Sequence, residues 1–324
     1  MVDVARHAGV SLKTVSRVVN NEPAVAAPLV DRVLAAIAEL GFRRNDIARN
    51  LRSGQVSATV GLLIEEIANP FYATIASVAA DIAAGHETLL ITASSEEDAE
   101  RERTLLLDLC QRRVDGLLVV PAGRDHGYLR REVEMGMPVV FLDRPPGELR
   151  ADTVLLDNRG GAQAGMARLL RDGHTRVGVL IDSLAVYTMR ERVAGVRAAR
   201  HDAGIGPDEA MVRDHVKTPD DAAGAVAELL DGADPPTAFF CGNNRITVGA
   251  LQELWRRGRD EVGLVGFDDF ELSHLMPRPV TVIAYDTVEL ARTATELLFR
   301  RIAGHRARPV TMVLPTRLVD SGIR

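Results

Sequence analysis

The first twenty residues place apolar side chains at the spacing of two short helices that are separated by a glycine. Val4, Ala5 and Ala8 fall on one side of the first helix, and Gly9 follows it directly. Glycine tolerates the left-handed backbone with which many helices end, so the chain can turn there. Ser11 stands where its hydroxyl can cap a second helix. This spacing predicts a helix-turn-helix and restricts the N-terminus to a small helical unit.

The second helix has an apolar side, formed by Val15, Val18 and Val19, and a polar side. Outward lysine and arginine side chains on a short helix suit the electronegative major groove of DNA. The candidate DNA contacts here are Ser11, Leu12, Lys13, Thr14, Ser16, Arg17 and Asn20. Arg17 is the best candidate for a bidentate contact to guanine, while Leu12 and Lys13 would set operator preference. The alternative is an ordinary hairpin within a larger helical domain.

A third helix is predicted after Pro28, and it ends at Gly41. Its expected apolar stripe consists of Leu29, Val33, Ile37 and Leu40. Three short helices would make a compact DNA-reading head. No Ser or Thr precedes the first helix to cap it, so we expect either a frayed helix start or a start codon further upstream.

Charge is divided unevenly along the chain. Residues 1–60 hold eight Lys and Arg against five Asp and Glu, a net charge of +3, although the whole chain carries −6. The remainder therefore carries −9. A basic head on an acidic body limits non-specific DNA contact to one surface.

After Gly54 the pattern changes to short apolar runs that alternate with amphipathic helices. Parallel sheets covered by helices have this signature, and the length allows two of them. The runs span residues 59–64, 88–93, 116–120, 139–142, 177–181, 238–241 and 262–267. The segment from Thr153 to Asp157 is expected to cross between the two sheets.

Ligands of open parallel sheets bind beyond the carboxyl ends of the strands. After the first run, Asn69 and Pro70 are explained as an ordinary helix start, but Phe71 and Tyr72 are two aromatics in a chain with 4% aromatic residues. One of them is expected to face the cleft. Other polar residues at strand ends or helix starts are Asp143, Arg190, Arg192, Asn243, Asn244, Asp268 and Asp269. Caps or surface ion pairs could explain any one of these, whereas together they suit a polyhydroxylated ligand.

Several classes of protein are excluded at this point. Cys110 and Cys241 are expected to be buried free thiols, and no metal-binding spacing occurs. Neither a signal peptide nor an apolar run of the ~18 residues that span a bilayer is found, so we expect a cytoplasmic protein without membrane contact. No glycine-rich phosphate loop or catalytic constellation stands out, and we expect no enzymatic activity and no cofactor.

The order of these residues resembles the lactose-repressor (LacI/GalR) family of bacterial transcription regulators over essentially the whole chain. In the head the resemblance rests on Asp3-Val4-Ala5, Ala8-Gly9-Val10-Ser11, Thr14-Val15-Ser16-Arg17-Val18 and Asn20. In the body it rests on Asn69-Pro70-Phe71, Leu142-Asp143-Arg144, Asp157-Asn158, Gly173-His174, Asn243 and Gly266-Phe267-Asp268-Asp269.

The resemblance implies a hinge helix that starts at Asn45 and folds on the operator, with Leu51 wedged into the minor groove. A short helix with Arg49 and Arg52 but little apolar surface would be marginal alone, in agreement with that role. The resemblance also implies a homodimer, with a tetramer as the alternative. The effector pocket it implies is lined by Phe71, Asp143, Arg192, Asn243 and Asp268. Tyr285 replaces a glutamine that is common in the family and would add stacking area.

The fold class expected from these observations is an all-α helix-turn-helix head followed by an α/β body of two doubly wound, periplasmic-binding-protein-like subdomains. The expected boundaries are 1–44 for the head, 45–57 for the hinge and 58–324 for the body. The two subdomains would comprise 58–156 with 286–311, and 157–285 with 312–324.

The function this predicts is an effector-responsive transcription regulator, a repressor of a carbohydrate-utilisation operon that binds a palindromic double-stranded operator. Two alternatives stay open: a regulator that responds to a purine, and a solute-binding protein of periplasmic type without a regulatory role.

Overall fold

The computed structural model describes residues 1–19, 22, 25–42, 57–208, 211–271, 273–276 and 279–321. These divide into two compact units, Met1–Ser57 and Ala58–Arg324. The predicted hinge helix and the candidate contacts Asn20, Asn45 and Leu51 lie outside the described residues.

The described residues of the N-terminal unit form three helices: α1 (Val2–Ala8), α2 (Leu12–Val19) and α3 (Ala27–Glu39). Gly9 ends α1 in the left-handed region with φ 61°, as its position predicts. The Ser11 hydroxyl accepts a hydrogen bond of 3.1 Å from the amide of Thr14 and so caps α2. No side chain caps α1. The helix-turn-helix prediction is therefore confirmed in its local details.

The small core of this unit differs from the predicted stripe of α3. Val33 and Ala36 are fully buried there, and Val30 and Ile37 pack beside them. Leu40 was expected in the stripe but is 44% exposed, because α3 ends at Glu39 and Leu40 is its C-cap. Ala36, which was not part of the predicted stripe, is in this core, whereas the predicted Leu29 is half-buried and outside it.

The second unit contains two six-stranded sheets. The first has the order β11-β5-β4-β3-β1-β2 with every pair parallel. The second has the order β12-β10-β9-β8-β6-β7, in which only β12 is antiparallel to its neighbour. The strands are β1 (Thr59–Ile64), β2 (Leu89–Ser94), β3 (Leu117–Val119), β4 (Val139–Leu142), β5 (Asp152–Leu156), β6 (Val177–Leu180), β7 (Val212–Arg213), β8 (Ala238–Cys241), β9 (Gly263–Phe267), β10 (Val280–Ala284), β11 (Thr311–Leu314) and β12 (Arg317–Ser321).

Helices cover both faces of each sheet, so the central strands are buried on both sides and consist almost entirely of apolar residues. The helices are α4 (Pro70–Gly85), α5 (Ala99–Gln111), α6 (Arg130–Glu134), α7 (Asn158–Arg171), α8 (Tyr187–Asp202), α9 (Pro219–Asp231), α10 (Asn244–Arg256) and α11 (Thr287–Ile302). Short 3-10 turns occur at Gly127–Leu129 and Ser273–Leu275. None of these helices is long and apolar enough to cross a membrane, which holds for the described residues.

The chain passes between the two sheets three times: after β5, after β10 and between β11 and β12. The segment Thr153–Asp157, which we expected to form a crossing, lies mostly in β5, a buried strand of the first sheet. The crossing begins only at Asp157, whose carboxylate caps α7 through a hydrogen bond of 2.8 Å from the amide of Gly160. The last crossing follows Leu314, beyond the expected boundary at residue 311.

Candidate functional site

The outer side of α2 forms the first candidate site. Ser11, Leu12 and Lys13 are exposed, and Leu12 retains half of its accessible surface although it is apolar. Thr14, Ser16 and Arg17 are half-buried, while Val15 and Val18 face the core. The described candidates thus lie on one accessible helix face, next to the turn at Gly9.

Arg17 is held near the end of α2 by an acidic neighbour. Its Nε lies 3.6 Å from the carboxylate of Glu22, and the amide of Glu22 donates to the carbonyl of Arg17 at 3.0 Å. Both side chains are partly exposed to solvent, so this ion pair is weak and can be exchanged for a stronger partner.

The second candidate site is a cavity between the two halves of the body, which contain the first and the second sheet. It lies where the carboxyl ends of the strands meet, as expected for parallel sheets. All six candidate residues predicted for a ligand line it: Phe71, Asp143, Arg192, Asn243, Asp268 and Tyr285. Tyr72 lines it as well, so both neighbouring aromatics reach the cavity. Asn244 is a further lining residue, whereas Arg190 and Asp269 are not among them.

Arg192 organises the second half of the cavity. It is 4% exposed and donates to the side chain of Asn158 at 2.9 Å, to the carbonyl of Gly242 at 2.5 Å and to Asp268 at 3.3 Å. Its guanidinium also lies 3.7 Å from the centre of the Phe267 ring, a cation–π contact. These contacts fix the Asp268 carboxylate at the cavity wall.

Tyr285 joins this network from the crossing segment after β10. Its hydroxyl donates to Asp268 at 2.8 Å, and its ring meets Phe71 edge to face, with centroids 5.9 Å apart. Burial and the charge of Asp268 raise the pKa of Tyr285 well above its usual value. The tyrosine therefore acts as a neutral hydrogen-bond donor that links Asp268 to the aromatic side of the first half.

A buried ionic cluster organises the first half. Arg144 donates to Glu65 at 2.6 Å and to Glu97 at 2.5 Å, and Tyr72 donates to Glu65 at 2.5 Å. Asp143 lies beside Arg144, with 3.5 Å between its carboxylate and Nε. Burial raises the pKa of Asp143, partly opposed by the charges of Arg144 and Arg192.

The two predicted carboxylates share an unusual backbone. Asp143 has φ 68° and Asp268 has φ 69°, the left-handed region that residues other than glycine rarely adopt, although Asp and Asn tolerate it best. Each residue directly follows a strand, in the first and second sheet respectively. Such strain is concentrated at functional sites, where it aims a side chain. In this conformation both carboxylates line the cavity.

Asn243 and Asn69 serve as helix caps at the cavity. The side-chain oxygen of Asn243 accepts from the amide of Ile246 at 2.9 Å, and that of Asn69 accepts from the amide of Phe71 at 3.1 Å. Capping thus explains one polar atom of each, while the amide nitrogen of Asn243 makes no hydrogen bond within the described part of the chain.

The cavity contains polar residues that our sequence interpretation missed. Glu65 follows β1, and Asp182 comes shortly after β6. Both are carboxylates beyond the carboxyl end of a parallel strand, the same signal that identified Asp143, so they could have been found. Arg144 was noted only as part of a motif.

The cavity has a volume of about 60 Å³, well below the roughly 300–1,000 Å³ of typical ligand pockets. It adjoins a groove of about 740 Å³ that shares Phe71, Asn244, Asp268 and Tyr285 with it. A sugar-sized ligand therefore needs the halves to part or needs part of the groove. Within the described residues, His, Cys, Asp and Glu form no group that could hold a metal ion.

Two family models match the chain. "Bacterial regulatory proteins, lacI family" matches residues 1–45, and "Periplasmic binding proteins and sugar binding domain of LacI family" matches residues 57–321. The two matches correspond closely to the two compact units.

Individual relatives cover nearly the whole chain. The ribose operon repressor of Haemophilus influenzae is 30% identical over 100% of this chain and 98% of its own length. The transcriptional repressor PurR of Aliivibrio salmonicida is 28% identical over 93% of this chain and 91% of its own. Among solved structures, the lac repressor dimer bound to operator and the anti-inducer ONPF matches with a TM-score of 0.83 and 25% identity, over 98% of this chain and 96% of that one.

Proposed function

The chain belongs to the LacI family of bacterial regulatory proteins, and from this we propose that it represses a carbohydrate-utilisation operon by binding a palindromic operator as a dimer. A sugar held between the two halves of the body would control that binding. The proposal is of a regulator and not of an enzyme, since the full-length relatives carry the names of repressors. A DNA operator as partner also implies a cytoplasmic protein.

One observation in particular supports this cavity as the effector site. Six residues chosen from the sequence line a single cavity between the two halves, although they lie as far apart in sequence as Phe71 and Tyr285. Carboxylates, an amide and aromatic edges around a small space match the alternating hydroxyl groups and apolar faces of a sugar ring.

The proposed DNA contacts are Ser11, Leu12, Lys13, Thr14, Ser16 and Arg17 on α2, with Asn20, Asn45 and Leu51 further along. The proposal divides the chain into a head over 1–44, a hinge over 45–57 and a body over 58–324. Dimers place two recognition helices about one helical turn of DNA apart, so the operator should be a near-palindrome with half-sites at that spacing.

A purine effector is the second candidate, because PurR is among the relatives. Purines are commonly held by stacking on a flat ring face. Here Phe71 and Tyr285 meet at 87° between their planes, which leaves no parallel slot between them and favours the sugar.

Two experiments test the proposal. Fragments of the source genome selected by the full-length protein, followed by footprinting, should yield a near-palindromic site. A thermal-shift screen of sugars and nucleobases, checked by calorimetry, should then yield a sugar that changes the affinity for this site. Selection of random fragments without a common site would refute the DNA part, and a nucleobase as the sole active compound would favour the purine.

A further inference from the structure

The charged side chains that line the cavity are unequal in number. Four carboxylates, Glu65, Asp143, Asp182 and Asp268, face two guanidinium groups, Arg144 and Arg192. We propose that the cavity admits uncharged or cationic ligands that donate hydrogen bonds and excludes anionic ones, such as sugar phosphates and sugar acids, with Asp182 and Glu65 setting this selectivity. The inference rests on the proposed effector role of the cavity.

The two arginines are already committed to protein partners. Arg144 donates to Glu65, to Glu97 and to the carbonyl of Pro121. Only its Nε has no hydrogen-bond partner within the described ranges, and Asp143 lies beside that atom. A guanidinium recognises a phosphate or carboxylate by presenting two parallel N–H groups. Arg144 has no such pair to offer.

Arg192 is engaged to the same degree. Its three nitrogen atoms donate to Asn158, to the carbonyl of Gly242 and to Asp268. An anion that drew Arg192 away would leave the Asp268 carboxylate with Tyr285 alone and would break a buried pair, which is costly. The second arginine therefore does not form an anion site either.

Helix N-termini are the other common anion sites, and at the cavity those of α4 and α10 are capped by side chains. The N-terminus of α8, whose N-cap Val186 also lines the cavity, has no side-chain cap, so at that point only the carboxylates oppose an anion. Asn69 accepts from the first turn of α4, and Asn243 accepts from the first turn of α10. Asn244 also accepts from the amide of Arg245 at 2.8 Å. Each of these oxygens takes up one of the amide groups that a phosphate would otherwise bind at α4 and α10.

What the cavity offers a ligand is instead hydrogen-bond acceptors that no protein group uses. No group in the described part of the chain donates a hydrogen bond to the carboxylate of Asp143 or of Asp182. Asp143 is 4% exposed, so water satisfies it poorly. Ligand hydroxyl or ammonium groups would supply the missing donors.

Asp182 and Glu65 reinforce each other from opposite halves of the body. Burial and the charge of Glu65 raise the pKa of Asp182, against the opposing charges of Lys217, Arg144 and His215. Neither Lys217 nor His215 lines the cavity. Closing the halves on an anion would therefore bring a third negative charge close to the carboxylates of Asp182 and Glu65. A hydroxyl or an ammonium group would instead lie between these carboxylates and could donate hydrogen bonds to them.

Calorimetry with the full-length protein tests this in two steps. The tightest neutral sugar is found first among ribose, xylose, glucose, galactose and fructose, and it is then compared with its amino derivative, its phosphate and its aldonic acid. We expect the phosphate and the acid to bind at least about tenfold more weakly than the parent, and the amino sugar to bind as well or better. A phosphate or acid that binds as tightly as its parent would overturn the inference.

The variant Asp182→Asn tests the assigned residue. It should reduce the ratio of the two dissociation constants, phosphate over parent, by roughly tenfold, because one repelling charge is gone. Asp214→Asn is the matched control: it removes a carboxylate from the same half of the body, but Asp214 is exposed and does not line the cavity, so the ratio should stay at the wild-type value. An unchanged ratio in Asp182→Asn would remove Asp182 from the inference.

The salt dependence of the wild-type ratio gives a reading that does not depend on the folding of any variant. Salt screens the repulsion between charges, so the ratio of the two dissociation constants should fall as the ionic strength rises.

Different results would contradict the inference and the proposed function. A neutral sugar that binds without changing operator affinity would refute the regulatory role alone, and preferred binding of an anion that does change operator affinity would refute the inference alone.

Discussion

Arg245 at the start of α10 donates a hydrogen bond of 2.7 Å to the carboxylate of Glu66, which follows β1 in the other half of the body. The two residues are 179 positions apart in sequence. Their ion pair joins the halves near the cavity lined by Glu65 and Asn244, the neighbours of Glu66 and Arg245. A parting of the halves at this point would lengthen the contact.

A double-mutant cycle measures how much the pair contributes. Glu66→Gln, Arg245→Gln and the double variant should show a coupling of about 0.5 kcal/mol in the free energy of unfolding, because both side chains are partly exposed. Urea unfolding at low and high salt is the measurement, and the coupling should shrink with salt.

Amide hydrogen exchange tests whether the Glu66–Arg245 pair restrains the two halves of the body. Glu66→Gln should speed amide exchange in the segments after β1 and at the start of α10. Glu228→Gln is the control, because its partner Arg213 at 2.9 Å lies in the same half. Equal exchange in the two variants would show that the Glu66–Arg245 pair does not restrain the halves.

The loss of Arg192 should be costly for stability. Arg192→Ala leaves the carboxylate of Asp268 without its guanidinium partner and removes the contact with Phe267, so we expect a loss of about 3 kcal/mol in the free energy of unfolding. Arg190→Ala, on the same helix, removes only exposed hydrogen bonds to the carbonyls of Leu184 and Ala185. Its effect should stay within about 0.5 kcal/mol. Chemical denaturation compares the two, and equal losses would refute the organising role of Arg192.

Six of the seven predicted strands lie inside the sheets, the seventh, β2, is an edge strand, and the interior strands β5 and β10 were not predicted. Runs such as Val139–Leu142 and Ala238–Cys241 are buried on both faces and are therefore continuously apolar. The edge strands β11 and β12 are mostly exposed or half-buried, and their short apolar stretches, Met312–Leu314 and Leu318–Val319, were not predicted as strands. β7 was missed because it has two residues. Patterns of hydrophobicity report burial, and edge strands are held mainly by backbone hydrogen bonds.

The sequence also predicts the residues of the cavity only in part. The strand-end rule selected Asp143 and Asp268 correctly as lining residues, because the position of a residue after a parallel strand fixes which edge of the sheet it reaches. The rule could not separate Arg192 from Arg190, since only the packing of α8 decides which of the two turns inward. Ionic partners such as Glu66 and Arg245 depend on how the halves meet, and local sequence does not encode that.

Arg17 offers a direct test of DNA reading. If Arg17 contacts a guanine, Arg17→Ala should weaken specific operator binding by roughly 1–3 kcal/mol while binding to unrelated DNA changes little. Arg6→Ala is the control, because Arg6 is an exposed residue of α1 that pairs with Asp3 at 3.7 Å. Gel-shift titrations with the selected operator and with scrambled DNA measure both effects. An unchanged operator footprint in Arg17→Ala would exclude the assignment.

The buried cluster around Arg144 predicts a dependence of stability on pH. Burial raises the pKa of Glu97 to about 8, with the charge of Glu65 adding to the shift and that of Arg144 opposing it. In the unfolded chain this carboxyl ionises near its usual value of 4.5. Between these two values the folded protein holds a proton that the unfolded chain has released. The contribution of Glu97 to the free energy of unfolding therefore falls as the pH rises through this window, and it is level above it.

Glutamine at position 97 stays uncharged, so Glu97→Gln should remove this slope. We expect the variant to match the wild type near the low end of the window and to exceed it in stability at pH of about 8. Thermal unfolding across the window is the measurement. Glu100→Gln, an exposed change in the first turn of α5 that leaves Arg144 untouched, should run parallel to the wild type. Parallel curves for Glu97→Gln and the wild type would show that Glu97 is ionised throughout, with Arg144 outweighing the cost of burial.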